Sequence, residues 1–421
     1  MNYFQYKTNE LYVEDVAIRD IVSETGSPVY IYSHATLERH FRAFDGAFSE
    51  IAHTICYSLK ANSNQSVLKT FLNLGSGVDI VSGGELYRAL RAGAHPAKIV
   101  YSGVGKKDDE IEYALSSDIL MFNVESGQEL TRISEIASRM GKKAGIAIRV
   151  NPDVDPGTHP YITTGLKNAK FGITIDQAIT EYKRALELPG IEILGVDCHI
   201  GSQLTKVAPF VDSIEKLKTV VKALREMGVN PKYFDIGGGL GIQYNDEEPP
   251  LPADYAKGII AATTDLGMHL IFEPGRNLVG NAGILATTCL YTKSRDDKHF
   301  IIIDAGMNDL ARPSLYGSFH DVRPALRRDQ DGVIVADIVG PICESGDFLV
   351  KDREVPMFRQ GDLMAFMSAG AYGFTMSSVY NSRPRPAEVM VKDGNFEIVR
   401  DRETFEDLVR GEKAASFLVT A

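Results

Sequence analysis

The sequence predicts an α/β protein: a (β/α)8 TIM barrel joined to a second, β-rich domain. Three observations predict it. Short apolar runs alternate with helix-like runs through the first two thirds of the chain, an order that implies a parallel sheet. Eight such strands fall within roughly 240 residues, close to the ~250 typical of a closed eight-stranded barrel. From about Gly280 the long helical runs stop and short, turn-bounded strands take over. An open doubly wound sheet is the competing arrangement for the first part.

Residues 1–35 hold two apolar runs, Leu11–Val13 and Val29–Tyr32, with a helical segment, Val16–Thr25, between them. These strands have no partners in the barrel and are expected to join the β-rich domain. Thr36 reads as an N-cap opening a helix to about Phe48. The barrel strands follow at Thr54–Leu59, Val78–Val81, Lys98–Ser102, Ile119–Val124, Gly145–Val150, Ile193–His199, Tyr233–Ile236 and His269–Phe272. Helices between them are expected at Gln65–Leu74, Gly84–Ala92, Asp108–Ser116, Ser126–Met140, Ile175–Leu188, Val211–Met227 and Ala253–Leu266. Further strands are expected at Ile284–Tyr291, His299–Asp304, Val333–Val339, Leu363–Phe366 and Ala387–Val391, and a late helix at Thr404–Val409. The expected domains are therefore 36–279 for the barrel, with 1–35 and 280–421 forming the β-rich domain.

Composition bounds the partners. The 421 residues are 44% hydrophobic and 24% charged, enough to bury a large core, and the net charge of -11 argues against nucleic acid or an anionic membrane. No run is long and apolar enough to span a bilayer and no signal peptide is read, so the cytoplasm is the expected compartment. The four cysteines, Cys56, Cys198, Cys289 and Cys343, show no CxxC pairing, so neither a disulfide framework nor a metal site is expected. Cys56 and Cys198 lie in apolar strands and read as core.

The chemistry gathers at the carboxyl ends of the strands, the face that carries the active site of such barrels. Lys60 ends the first strand; partial burial there would favour a neutral amine able to attack a carbonyl. Gly237-Gly238-Gly239-Leu240-Gly241 follows another strand and offers backbone amides to a phosphate, with Ser202 and Arg276 on neighbouring strand ends. No helix follows that glycine run, so it is a poor dinucleotide fingerprint. Glu273 closes the last strand. A lysine that binds an aldehyde and a carboxylate that keeps a pyridine nitrogen protonated are the pattern for pyridoxal 5'-phosphate. His199 could stack on the ring; no His-x-x-x-His pair points to metal. In the β-rich part, Cys343 beside Glu344 in a polar loop could serve as an acid–base thiol.

Taken in order, Tyr57-Ser58-Leu59-Lys60-Ala61-Asn62, His199-Ile200-Gly201-Ser202-Gln203, Gly237-Gly238-Gly239-Leu240-Gly241, Glu273-Pro274-Gly275-Arg276, Cys343-Glu344-Ser345-Gly346-Asp347 and Gly370-Ala371-Tyr372-Gly373 closely resemble the diaminopimelate decarboxylases, pyridoxal enzymes of the alanine-racemase-like class. The resemblance runs end to end. It implies decarboxylation of meso-2,6-diaminopimelate at its D-centre to L-lysine and CO2, the last step of lysine biosynthesis. It further implies that Lys60 binds the cofactor covalently, His199 stacks on the ring and Glu273 pairs with its nitrogen. Ser202, Gly238, Gly239, Gly275 and Arg276 would surround the cofactor, with Arg276 also near the substrate. Arg312, Tyr316, Glu344 and Tyr372 would hold the substrate, Tyr372 near the cofactor too, and Cys343 would return the proton. A head-to-tail homodimer with shared active sites is implied as well. The competing chemistry is a decarboxylase of ornithine, arginine or carboxynorspermidine, and the competing class a non-catalytic pyridoxal-binding homologue. The second carboxylate of diaminopimelate calls for a guanidinium, which Arg276 and Arg312 can supply.

Overall fold

The structure, a computed structural model, describes residues 2–155, 170–328 and 332–418. The chain divides into two compact units, one made of His34–Ala282 with Gly370–Thr375 and the other of Asn2–Ser33, Gly283–Ala369 and Met376–Ala421. Gly370–Thr375 groups with the first unit, whereas the sequence placed everything after residue 279 in the second. The physical tie is backbone pairing: Gly370 donates to the Gly280 carbonyl and Tyr372 to that of Ala61.

The first unit is a closed parallel barrel. Its strands are β1 (His53–Ser58), β2 (Gly77–Ile80), β3 (Ile99–Tyr101), β4 (Met121–Val124), β5 (Ala144–Asn151), β6 (Ile191–Asp197), β7 (Tyr233–Asp235) and β8 (His269–Phe272). Each pairs with its successor, and β8 pairs with β1 to close the ring. These are the eight strands expected, with ends shifted by one or two residues. The intervening helices start where short polar side chains cap them: Asn64 accepts from the Ser66 amide, Ser82 from Glu85, Ser126 from Glu129 and Thr174 from Gln177. Their apolar faces close on the barrel. Phe44 and Phe48, at the end of the helix His34–Ala47, meet Tyr255 and Phe272, with the Phe48 and Phe272 rings 4.2 Å apart. Thr36, expected as the N-cap of that helix, is instead its buried third residue, because the helix already begins at His34.

The second unit is mostly sheet. Its main sheet runs Phe348–Pro356, Val333–Val339, Lys298–Ile303, Gly283–Arg295, Val29–Ser33, Ala387–Lys392 and Asn395–Arg400. Val29–Ser33 is antiparallel to Gly283–Arg295 and parallel to Ala387–Lys392, so the amino-terminal strand lies inside this sheet. Leu363–Phe366 branches from Gly283–Arg295 and carries Val322–Pro324. Val29, Ile31, Ile284, Ala286, Ala365 and Val389 form part of the core of this unit. The sequence did not anticipate the nine-residue strand Phe348–Pro356. Among the described residues no helix is long and apolar enough to cross a membrane.

Candidate active site

Lys60 sits in a single tight turn, Leu59–Ala61, directly after β1. The turn lifts the side chain from the barrel interior toward its carboxyl-end face, where about a third of it remains exposed. Its amine donates to Asp79 Oδ2 at 2.8 Å, and the Ser58 hydroxyl donates to the same oxygen. This corrects the expectation of a neutral amine. Burial does pull the proton off, but the charges of Asp79 and Glu273 outweigh it and hold Lys60 firmly protonated.

Glu273 follows β8, next to β1 in the ring, and is 4% exposed. Its Oε1 accepts from the Ser102 hydroxyl and the Asn123 amide, both at 3.1 Å. It makes no ion pair among the described residues. Burial pushes its carboxyl up to about 7, with the charge of Asp79 adding to the effect. Asp197 and Asp235 share this floor: one oxygen from each, with one from Glu273, lies within 4.8 Å of the others. Two full charges at that spacing repel by roughly 3 kcal/mol at an effective dielectric of ~20. Burial drives both aspartates well above their usual range. Arg149, beside them, is bound to Glu125 at 2.7 Å.

A second group of side chains surrounds the glycine run after β7. Gly238 N–H donates to His199 Nδ1 at 3.0 Å, which makes that nitrogen an acceptor. Burial, then the charges of Arg149 and Lys60, keep this imidazole well below its ordinary pKa, so it is neutral. The close approach requires glycine: a Cβ on Gly238 would stand 2.2 Å from the Glu273 carbonyl oxygen. Arg276 donates to the Ser202 hydroxyl at 3.0 Å and to the Tyr244 hydroxyl at 2.7 Å. Its guanidinium lies 4.9 Å from the Tyr372 ring centre. Tyr372 adopts φ +55°, an unusual backbone for a bulky residue, fixed by its bond to Ala61. Gly275 packs beside the lysine turn, where a Cβ would meet Ala61 at 2.9 Å.

The remaining expected residues lie in the second unit. Arg312 and Tyr316 stand on a five-residue helix, Arg312–Tyr316. Arg312 is buried and its Nη1 is 2.9 Å from His320 Nε2. Cys343 is exposed on a loop whose amide at that residue donates to Asn381 Oδ1. Asp347 braces the loop by accepting from the amides of Met307 and Ile342. Glu344 is exposed in it. Cys56, Cys198 and Cys289 are buried and free.

The structure thus brings Lys60, His199, Ser202, Gly238, Gly239, Glu273, Gly275, Arg276 and Tyr372 to one end of the barrel. It also assigns partners that sequence reasoning missed. Asp79, Asn123, Asp197 and Asp235 are polar residues within apolar strands, and that mismatch was the available signal. The arrangement fits pyridoxal phosphate: a lysine amine for the aldehyde, a buried carboxyl with no ion pair among the described residues for a positive ring nitrogen, and a cradle with an arginine and a serine for the phosphate.

Comparisons with known proteins agree. Residues 34–280 match the family described as pyridoxal-dependent decarboxylase, pyridoxal binding domain. A diaminopimelate decarboxylase of Vibrio cholerae is 50% identical, with 97% of this chain and 98% of that one aligned. The diaminopimelate decarboxylase of Helicobacter pylori, solved in complex with L-lysine, is 43% identical, covers 93% of this chain and 98% of its own, and superposes with a TM-score of 0.90. Its counterpart from M. jannaschii, also solved with L-lysine, is 35% identical over 99% of both chains with a TM-score of 0.94. On this agreement of barrel, strand-end residues and sequence, the chain belongs to the diaminopimelate decarboxylase family of pyridoxal-dependent decarboxylases.

Proposed function

We propose that the chain decarboxylates meso-2,6-diaminopimelate at its D-centre, giving L-lysine and CO2, with pyridoxal 5'-phosphate as cofactor. One observation carries this reading: an amine and a buried carboxyl with no ion pair among the described residues, on adjacent barrel strands, beside a glycine cradle and an arginine. When bound, the cofactor supplies an electron sink for the pair left behind by departing CO2.

Lys60 anchors the aldehyde carbon, and Asp79 orients its amine beforehand. Glu273, once ionised, keeps the ring nitrogen protonated. An arginine at that place would weaken the sink. His199 packs on the ring as a neutral imidazole and so adds no competing charge. Ser202, Gly238, Gly239 and Arg276 hold the phosphate, and Gly275 lets the backbone come close. Arg312 takes the distal carboxylate and Glu344 the distal ammonium, and Tyr316 and Tyr372 are further substrate-binding residues. Cys343 returns a proton to the carbon that lost CO2. We assign the enzyme to the cytoplasm as a head-to-tail homodimer in which the exposed Cys343 loop completes the neighbour's site, giving two shared sites per C2 pair.

The test is direct. The cofactor-loaded enzyme, given meso-diaminopimelate, releases CO2 and lysine in equal amounts, and Arg312→Ala raises KM severely. Turnover of ornithine or arginine in preference to diaminopimelate, untouched by that substitution, would move the chain to the polyamine decarboxylases.

A further inference from the structure

The barrel floor holds more acid than its cations can balance. Five carboxyls are buried there: Asp79, Glu125, Asp197, Asp235 and Glu273. Among the described residues two cations face them, and both are engaged. Lys60 is bonded to Asp79 and Arg149 to Glu125. Asp197, Asp235 and Glu273 are left with one another, within 4.8 Å and without an ion pair among the described residues. Asp197 is the extreme case. It is 1% exposed, and its Oδ1 has no hydrogen-bond partner among the described residues. Asn123, which touches both Asp235 and Glu273 through its amide nitrogen, has an equally unpartnered Oδ1. Buried acceptors with nothing donated to them are costly, and a proton resident on a neighbouring acid is what such acceptors call for.

We propose that Asp197 is a permanently neutral acid: with Asp235 also neutral, the three-carboxyl floor carries one negative charge, and that charge belongs to Glu273. This rests on the reading that Glu273 faces the ring nitrogen. It adds why Asp197 does not share that charge: Glu273 Oε1 accepts from Ser102 and Asn123, whereas Asp197 Oδ1 has no donor among the described residues. Arg149 draws Asp197 toward its charged form, but burial and the charge of Glu273 outweigh it, and the remaining titratable groups facing Asp197 do not alter the balance. Glu125 and Asp79 are spent on their own cations, while Tyr182 and Cys198 are buried and held protonated. Asp197→Asn therefore replaces one neutral polar group by another, whereas removal of a real charge would change cofactor binding sharply.

Infrared spectroscopy of the empty enzyme tests this. Recorded about one pH unit above the value near 7 reached by Glu85, Glu273 and Asp309, the spectrum should retain carbonyl bands of neutral carboxylic acids. One band should vanish in D197N and another in D235N. If either variant fails to fold, labelling the aspartates of the unaltered protein with carbon-13 should shift the same bands. D197N should bind pyridoxal phosphate within about twofold of the unaltered enzyme, as titrated by its absorbance. Absence of the bands, their loss on adding Mg2+ or Mn2+, or affinity raised tenfold or more in D197N would overturn the proposal. The ring pairing is tested separately, below pH 7. A Glu273 band, identified in E273Q, should disappear on loading with cofactor, and its survival would overturn the pairing while the aspartate bands still decide the floor.

Discussion

Asp79 decides when Lys60 can act. An ammonium has no lone pair, so cofactor capture waits on loss of its proton, and Asp79 opposes that loss from 2.8 Å. Asp79→Asn keeps the shape and removes the charge. Burial is then opposed only by the more distant acids, and the amine gives up its proton at lower pH. Capture of pyridoxal phosphate near neutral pH, followed as growth of its bound absorbance in stopped flow, should quicken by roughly tenfold, with the two enzymes converging in alkali. Slower capture at every pH would instead make Asp79 the proton acceptor. Glu273 yields the complementary dependence. Its carboxyl is raised to about 7 in the empty protein, so below that pH pairing with a positive ring nitrogen must first expel a proton. Cofactor affinity should fall as pH drops through 7, and Glu273→Gln should bind weakly with no such slope. Lys60 and Glu273 were both legible in the sequence because each breaks an apolar strand at its carboxyl end. Asp79 and Asp197 were not, since they were absorbed into strand-like runs where only the closed barrel shows which residues face each other.

Elements whose period is clean were legible to within a residue or two, and those that mix signals were not. All eight barrel strands are short apolar runs flanked by capping residues, and a parallel strand buried on both faces has this look. Phe348–Pro356 has Lys351, Asp352, Arg353 and Glu354 at its centre, with Lys351 and Asp352 exposed, so composition alone reads as a turn. What makes it a strand is its antiparallel pairing with Val333–Val339, a contact that lies outside any local window. The Gly370–Thr375 segment was misplaced for the same reason: its unit is set by two backbone bonds to distant residues. The glycine run after β7 is an element in which the sequence showed the residues but not the constraint. Gly238→Ala puts a methyl group 2.2 Å from the Glu273 carbonyl oxygen, so either the cradle or the end of β8 must move. The expected result is a loss of about 2–4 kcal/mol in stability and a more than tenfold weaker hold on cofactor. Chemical denaturation and absorbance titration measure the two, and unchanged affinity would mean that the cradle does not touch the phosphate.

Across the whole molecule, the buried acids should set how stability responds to pH. Glu85 and Glu273 in the barrel unit and Asp309 in the sheet unit are each pushed up to about 7, first of all by burial. Their unfolded forms ionise near 4, so between about pH 4.5 and 7 the folded protein binds more protons than the unfolded chain. Stability must then fall as pH rises across that window, by roughly 3 kcal/mol for a group shifted this far. A carboxylate held by an ion pair would give the opposite slope, and the exposed pairs of this protein are too well solvated to reverse the trend. Asp309→Asn isolates one contribution. Asp309 accepts from Gly306 N–H and from the Asn308 amide, whose own oxygen has no partner among the described residues. Turning the Asn308 amide over lets that oxygen accept from the new amide, so the variant keeps its bonds and loses only the titration. The melting temperature of the empty protein should drop between pH 5 and pH 7, and the drop should be smaller in D309N. Adding pyridoxal phosphate should flatten the slope as well, because a positive ring beside Glu273 favours its charged form. A melting temperature that climbs over the same interval would show that these acids are ionised in the fold, and that their burial is compensated by charges they do not touch.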